Sequence, residues 1–184
     1  MKKIYFSTGN KRKIKEARAA CELFDIEVVP IKLDFDEIQS HDALNISIQK
    51  VKDAYRLANQ ETIVVADTSW SIPALNGFPG GYMKDVAEWF SSEDFITLMQ
   101  NKTDRTVIFR ETIVYKDKNE IKVFSKEYPG FITDAPRGND GNSIDKVAEF
   151  NGITLAESHD LKQTSHKPEE YIWYEFAKWY SENK

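Results

Sequence analysis

The sequence predicts an α/β protein built on a mixed β-sheet with flanking helices, and three observations carry that prediction. An apolar segment at 3–7 gives way to Ser7-Thr8-Gly9-Asn10. Ile14, Ala17, Cys21 and Phe24 then recur at three- and four-residue steps, the pattern of strand, turn and helix. A long amphipathic stretch carrying Leu44, Ile48, Val51, Tyr55 and Ala58 ends near Asn59 and runs into Thr62-Ile63-Val64-Val65-Ala66, a β-branched run suited to a central strand. Two apolar/polar runs at 105–115 and 120–128 flank Asp117-Lys118-Asn119, which reads as an antiparallel hairpin. Helical crossovers and a hairpin in one chain make the sheet mixed.

The remaining elements follow in order. Residues 26–33 form the second strand, and Asp67 stands at the C-terminal edge of the third. Residues 76–82 hold three glycines and one proline and read as a loop. A helix follows over 83–90, and another begins at Ser91, where Ser91 and Asp94 have capping-box spacing. Residues 136–143 are polar and glycine-bearing, a further loop. A final helix is expected from Pro168, with Glu169 and Glu170 in its first turn and Ile172, Phe176 and Trp179 facing inward.

The chain of 184 residues suits one domain spanning 1–184. Its 41% hydrophobic and 30% charged residues are those of a globular protein. No apolar run approaches the ~18 residues of a membrane span, so no membrane partner is expected. The polar start lacks the pattern of a secretory signal, so the expected compartment is the cytoplasm. Cys21 has no second cysteine to pair with and lies on an apolar helix stripe, which reads as core packing. A formal charge of −5 argues against broad nucleic-acid binding.

Against that acidic background, Lys11, Arg12, Lys13 and Lys15 cluster where the helix macrodipole disfavours cations. An anion is expected there. A glycine between small polar residues at a strand-to-helix turn lets backbone N–H groups converge on a phosphate, and Lys13 adds a charge-assisted contact. The P-loop spacing is absent: Gly9 has no second glycine and Lys13 precedes Ile14. Asp34, Asp36 and Glu37 follow the second strand; Asp34 and Asp36 read as solvated loop charge, whereas Glu37 and Asp67 could share one Mg²⁺ with substrate phosphate oxygens. His41, His159 and His166 lack the spacing of a zinc site, and Ser69 lies in no Gly-x-Ser-x-Gly pattern. Lys162-Gln163-Thr164-Ser165-His166-Lys167 offers donors to a phosphate or a base edge.

Taken in order, Ser7-Thr8-Gly9-Asn10 with Lys13, Asp34 to Gln39, Ile46-Ser47-Ile48-Gln49-Lys50, Val65-Ala66-Asp67-Thr68, Gly77 to Tyr82, Pro136-Arg137-Gly138 and Ser165-His166-Lys167 resemble the inosine triphosphate pyrophosphatase family over nearly the whole chain. The resemblance implies two lobes around a central nucleotide-binding cleft, commonly in a homodimer. It also implies Mg²⁺-dependent hydrolysis of deaminated purine nucleoside triphosphates (ITP, dITP, XTP) to the monophosphate and pyrophosphate. By the same resemblance, Asp67, Glu37 and Lys13 are catalytic, and Glu37 and Asp67 hold the metal. Thr8, Gly9, Asn10, Lys13, Lys50, Thr68, Arg137, Asp145, Lys162, Ser165, His166 and Lys167 contact the substrate.

Three positions depart from the family pattern. Ala66 stands where many members carry an acid, Asn142 to Lys146 replaces an aromatic base-holding motif of which only Asp145 survives, and Lys167 replaces an arginine. They define the alternative reading: a catalytically weak nucleotide-binding or sensing homologue, or a pyrophosphatase with shifted base specificity.

Overall fold

Strand β1 (Lys2–Ser7) pairs in parallel with β2 (Ile26–Ile31), Lys2 opposite Ile26 through Ser7 opposite Ile31. In parallel strands this close in sequence the crossover is helical, and α1 (Lys11–Glu22) supplies it. The computed structural model describes residues 2–59, 61–161 and 167–184. The chain divides into two compact units. One comprises Met1–Thr68, Glu111–Lys126 and His166–Lys184, and the other Ser69–Arg110 and Glu127–Ser165.

In the first unit the strands lie in the order β2, β1, β3 (Ile63–Ile72), β5 (Thr106–Lys116) and β6 (Ile121–Ile132), with β3 parallel to β1. Strand side chains alternate between faces. Accordingly Val64 joins Ile4, Phe6, Ile113 and Tyr115 in a core covered by α1 and by α6 (Ile172–Asn183), which brings Trp173, Phe176 and Tyr180. Ile63, Val65 and Val114 turn the other way and meet Val51, Ala54 and Tyr55 of α2 (Ala43–Leu57). Both faces of the strands are thus helix-covered, which is why 62–66 reads as a continuous apolar run.

In the second unit, the end of β3 pairs antiparallel with β4 (Phe78–Gly80), Trp70 opposite Gly80 and Ile72 opposite Phe78. Helices α3 (Met83–Trp89) and α4 (Ser92–Leu98) follow, and the Ser91–Asp94 capping box forms: the Asp94 N–H donates to Ser91 Oγ at 3.2 Å and the Ser91 N–H to Asp94 Oδ2 at 2.8 Å. β6 continues against β7 (Ala148–Phe150), and β7 against β8 (Ile153–Thr154), both antiparallel. Helix α5 (Leu155–Asp160) then opens on a second capping box, between Thr154 and Glu157. The core of this unit gathers Trp70, Ile72, Phe95, Met99, Val107 and Ile132.

The mixed sheet with flanking helices predicted from sequence is the one that forms. Three local expectations are corrected, the first being the loop at 76–82, which contains β4 paired to β3. Asp67 does not end its strand: β3 runs on to Ile72 because the alternating, β-favouring stretch after Asp67 finds a partner in β4. The last helix does not begin at Pro168. Residues 168–170 form a single 3₁₀ turn, Tyr171 is extended (φ −75°, ψ 146°), and α6 starts at Ile172.

Candidate active site

The turn after β1 is built by short side chains bonding to nearby backbone. The Thr8 N–H prolongs the β1–β2 ladder by donating to the Ile31 carbonyl at 3.1 Å, while Thr8 Oγ1 accepts from the Asn10 N–H at 3.1 Å. Asn10 is the N-cap of α1, its Oδ1 accepting from the N–H groups of Arg12 (2.9 Å) and Lys13 (3.3 Å). Gly9 has no conformational need to be glycine: its φ is not positive, and a Cβ there would meet nothing within 4 Å. The loop surface at this position is open.

The basic cluster separates by role. Arg12 pairs with Glu16 one turn along α1 at 3.0 Å. Lys13 folds back onto the sheet, where its ammonium donates to the carbonyl of Ala66 at 2.8 Å. Burial lowers the Lys13 pKa, the nearby Lys50 and Arg12 lower it further, and the carboxylate of Asp67 opposes them without restoring the ordinary value. A cavity of about 10 Å³, the room of a single water, is lined by Arg12, Lys13, Glu16, Asp67, Thr68 and Glu111 among others. A roomier hollow of about 420 Å³ lies elsewhere, along Asp34, Asp36, Asp53 and Arg56. Lys13 and Asp67 line the smaller cavity and neither lines the larger.

Lys50 joins the two acids. From α2 its ammonium lies 2.7 Å from Glu37 Oε1 and 2.8 Å from Asp67 Oδ1. The other Asp67 oxygen accepts from Ser47 Oγ at 2.9 Å. Ser47 and Lys50 are three residues apart, so one face of α2 holds both oxygens of Asp67. Burial alone would lower the Lys50 pKa, but the Asp67 and Glu37 carboxylates outweigh it and raise it. Ser47 is the site residue that sequence reasoning missed. Its signal was the i, i+3 spacing from Lys50, visible only once both were known to face Asp67.

Glu37 and Asp67 fit a hard divalent cation, because they converge on one point from a loop and a strand, and Mg²⁺ takes one or two carboxylates with the remaining oxygens from substrate and water. No group of three or more His, Cys, Asp or Glu able to hold a metal occurs among the described residues.

The other predicted residues are placed as follows. Arg137 is in the second unit, its Nη2 2.7 Å from Glu149 Oε2 and its Nε 3.2 Å from Glu157 Oε2. Asp145, in the same unit, is buried and serves its own loop: Oδ2 accepts from the Asn142 N–H at 3.0 Å, and the backbone carbonyl accepts from Ala156. Lys167, in the first unit, is exposed and its N–H donates to Glu170 Oε2 at 3.3 Å. Lys162, Ser165 and His166 lie outside the described residues. No helix among the described residues is long and apolar enough to cross a membrane.

Residues 4–169 match the family model described as the Ham1 family. A relative named dITP/XTP pyrophosphatase, from Methanosarcina acetivorans, is 31% identical over 182 residues, covering 98% of each chain. One named inosine triphosphate pyrophosphatase, from Candida glabrata, is 32% identical over 185 residues and 95% of each chain. Among solved structures, the fold is similar to that of a HAM1 protein from Coxiella burnetii (TM-score 0.82, 18% identity, 99% of this chain and 100% of that one). It is also similar to the Ham1 protein of Staphylococcus aureus (TM-score 0.79, 25% identity, 100% of both).

Proposed function

The chain belongs to the Ham1 family, and from that premise we propose that it hydrolyses noncanonical purine nucleoside triphosphates, of the ITP, dITP and XTP kind, to the monophosphate and pyrophosphate. The observation that carries this reading is the meeting of Glu37, Asp67 and Lys50 at one point, with Lys13 held one residue away at Ala66. Two acids and two lysines, brought from a loop, two helices and a strand, are the donor set that attack on a polyphosphate requires.

In this reading the open turn at Thr8, Gly9 and Asn10 receives the phosphates, and Lys13 and Lys50 offset their charge. Asp67 orients the attacking water toward the α-phosphorus and takes its proton, while Ser47 fixes the carboxylate's rotation. Mg²⁺, held by Glu37 and Asp67, would neutralise charge building on the departing pyrophosphate. Thr68, next along β3, and Lys167 complete the substrate contacts in this unit. The resemblance further implies a homodimer, and sedimentation equilibrium reads its mass directly.

The test is product analysis. Purified protein incubated with Mg²⁺ and a panel of nucleoside triphosphates should yield monophosphate and pyrophosphate in equal amounts, fastest with ITP, dITP or XTP. Release of inorganic phosphate with accumulation of the diphosphate overturns the proposal.

A further inference from the structure

Two carboxylates brought to one point repel each other, and in this protein the group that holds them together is an ammonium. Lys50 lies 2.7 Å from Glu37 and 2.8 Å from Asp67, its side chain only 17% exposed. Glu37 comes from the long loop between β2 and α2, with its side chain 51% exposed, so little besides this ion pair fixes its position. Asp67 is fixed independently, by the strand and by Ser47.

We propose that Lys50 is a resident stand-in for the divalent cation: it keeps Glu37 and Asp67 poised in the metal-free protein and must leave them when a metal binds. The inference rests on the functional reading above and adds a regulatory consequence to it. The two carboxylates bonded by the ammonium are the ones that would hold the metal, so Lys50 and the metal compete. A nucleotide triphosphate gives the displaced ammonium new anionic partners, so metal and nucleotide strengthen each other's binding, reciprocally and by the same factor. The protein alone therefore binds divalent metal weakly, and metal and nucleotide load together.

Metal titration without nucleotide tests this. Mn²⁺, read by electron paramagnetic resonance of the free ion, should bind Lys50→Met about tenfold or more tighter than wild type, because the competing charge is gone. Lys50→Arg, which keeps the charge, should stay within about threefold of wild type. Equal or weaker binding by Lys50→Met overturns the proposal. Should Lys50→Met fail to fold, as judged by circular dichroism, the wild-type protein still decides the matter. Its ¹⁵N-lysine side-chain spectrum, with Lys50 identified as the signal lost in Lys50→Arg, should move as Mg²⁺ saturates, and a Lys50 resonance unchanged at saturation overturns the proposal. Neither measurement involves turnover, so failure here is distinct from failure of the hydrolytic reading, which the product assay judges on wild type.

Discussion

Replacing Asp67 by asparagine separates chemistry from architecture at the centre of the site. Asp67 accepts from Lys50 at 2.8 Å through one oxygen and from Ser47 at 2.9 Å through the other. An asparagine of the same shape keeps both contacts if its Oδ1 faces Lys50 and its amide N–H faces Ser47 Oγ. The serine hydrogen then turns to the Ala43 carbonyl, which it already reaches at 3.2 Å. Lys50 loses one charge partner but retains Glu37, and its ammonium keeps some access to water. Breaking a fully buried pair costs about 3–5 kcal/mol, whereas the loss here amounts to one partly exposed ion pair weakened to an ammonium–amide hydrogen bond, about 1 kcal/mol. For a chain of this length that lowers Tm by about 2–4 °C. With Asp67 in its proposed role of general base, in contrast, its loss lowers kcat by about 10²–10⁴. Pyrophosphate release at saturating ITP gives kcat, and differential scanning calorimetry gives Tm. A variant that keeps kcat within about tenfold of wild type refutes Asp67 as the base.

Three further outcomes follow from the packing and the charges. Phe176 is fully buried and rings with Trp173, Phe124 and Tyr115, so Phe176→Ala should cost about 3–5 kcal/mol and lower Tm by about 6–20 °C, read calorimetrically. Asp117 loses some ease of ionisation to burial, but bonds from Lys184, from the N–H groups of Glu120 and Asn119 and from the Tyr115 hydroxyl outweigh that and hold its pKa well below the usual carboxylate range. Its contribution to stability is therefore complete above about pH 4 and is lost as pH falls from there through the lower folded-state value. Asp117→Asn should be less stable than wild type in denaturant melts at pH 7, and the gap should close in acid. Burial pushes the Cys21 thiol up to about 12, so an aromatic disulfide reagent at pH 8 should leave the native protein unlabelled and modify one thiol per chain after unfolding.

The sequence makes the architecture legible where hydrophobic period and β-branching agree, as in 62–66 and the helix before it. It also marks Glu37, Lys50 and Asp67 as candidates. Their convergence depends on register. Lys50 reaches Asp67 only because Val51, Ala54 and Tyr55 seat α2 against Ile63 and Val65, and no local pattern encodes which turn of a helix meets which strand residue. Ser47 reads as an ordinary polar residue of a helix until that seating is known. The continuation of β3 past Asp67 depends likewise on a partner, β4, that residues 76–82 conceal behind their glycines and proline. Asp145 shows the opposite effect. The motif suggests ligand contact, whereas one carboxylate oxygen already accepts from the Asn142 N–H, and a Cβ added at Gly141 would come within 2.5 Å of that oxygen.

Position 9 gives mutagenesis an unusually clean handle. With nothing within 4 Å of an added methyl group and no left-handed backbone to strain, the native fold should accept alanine or serine there almost indifferently. Any penalty that such side chains bring must then come from whatever docks against the loop. A graded series of sizes at this one residue thus becomes a ruler for ligand approach, read as a steepening KM at constant melting temperature.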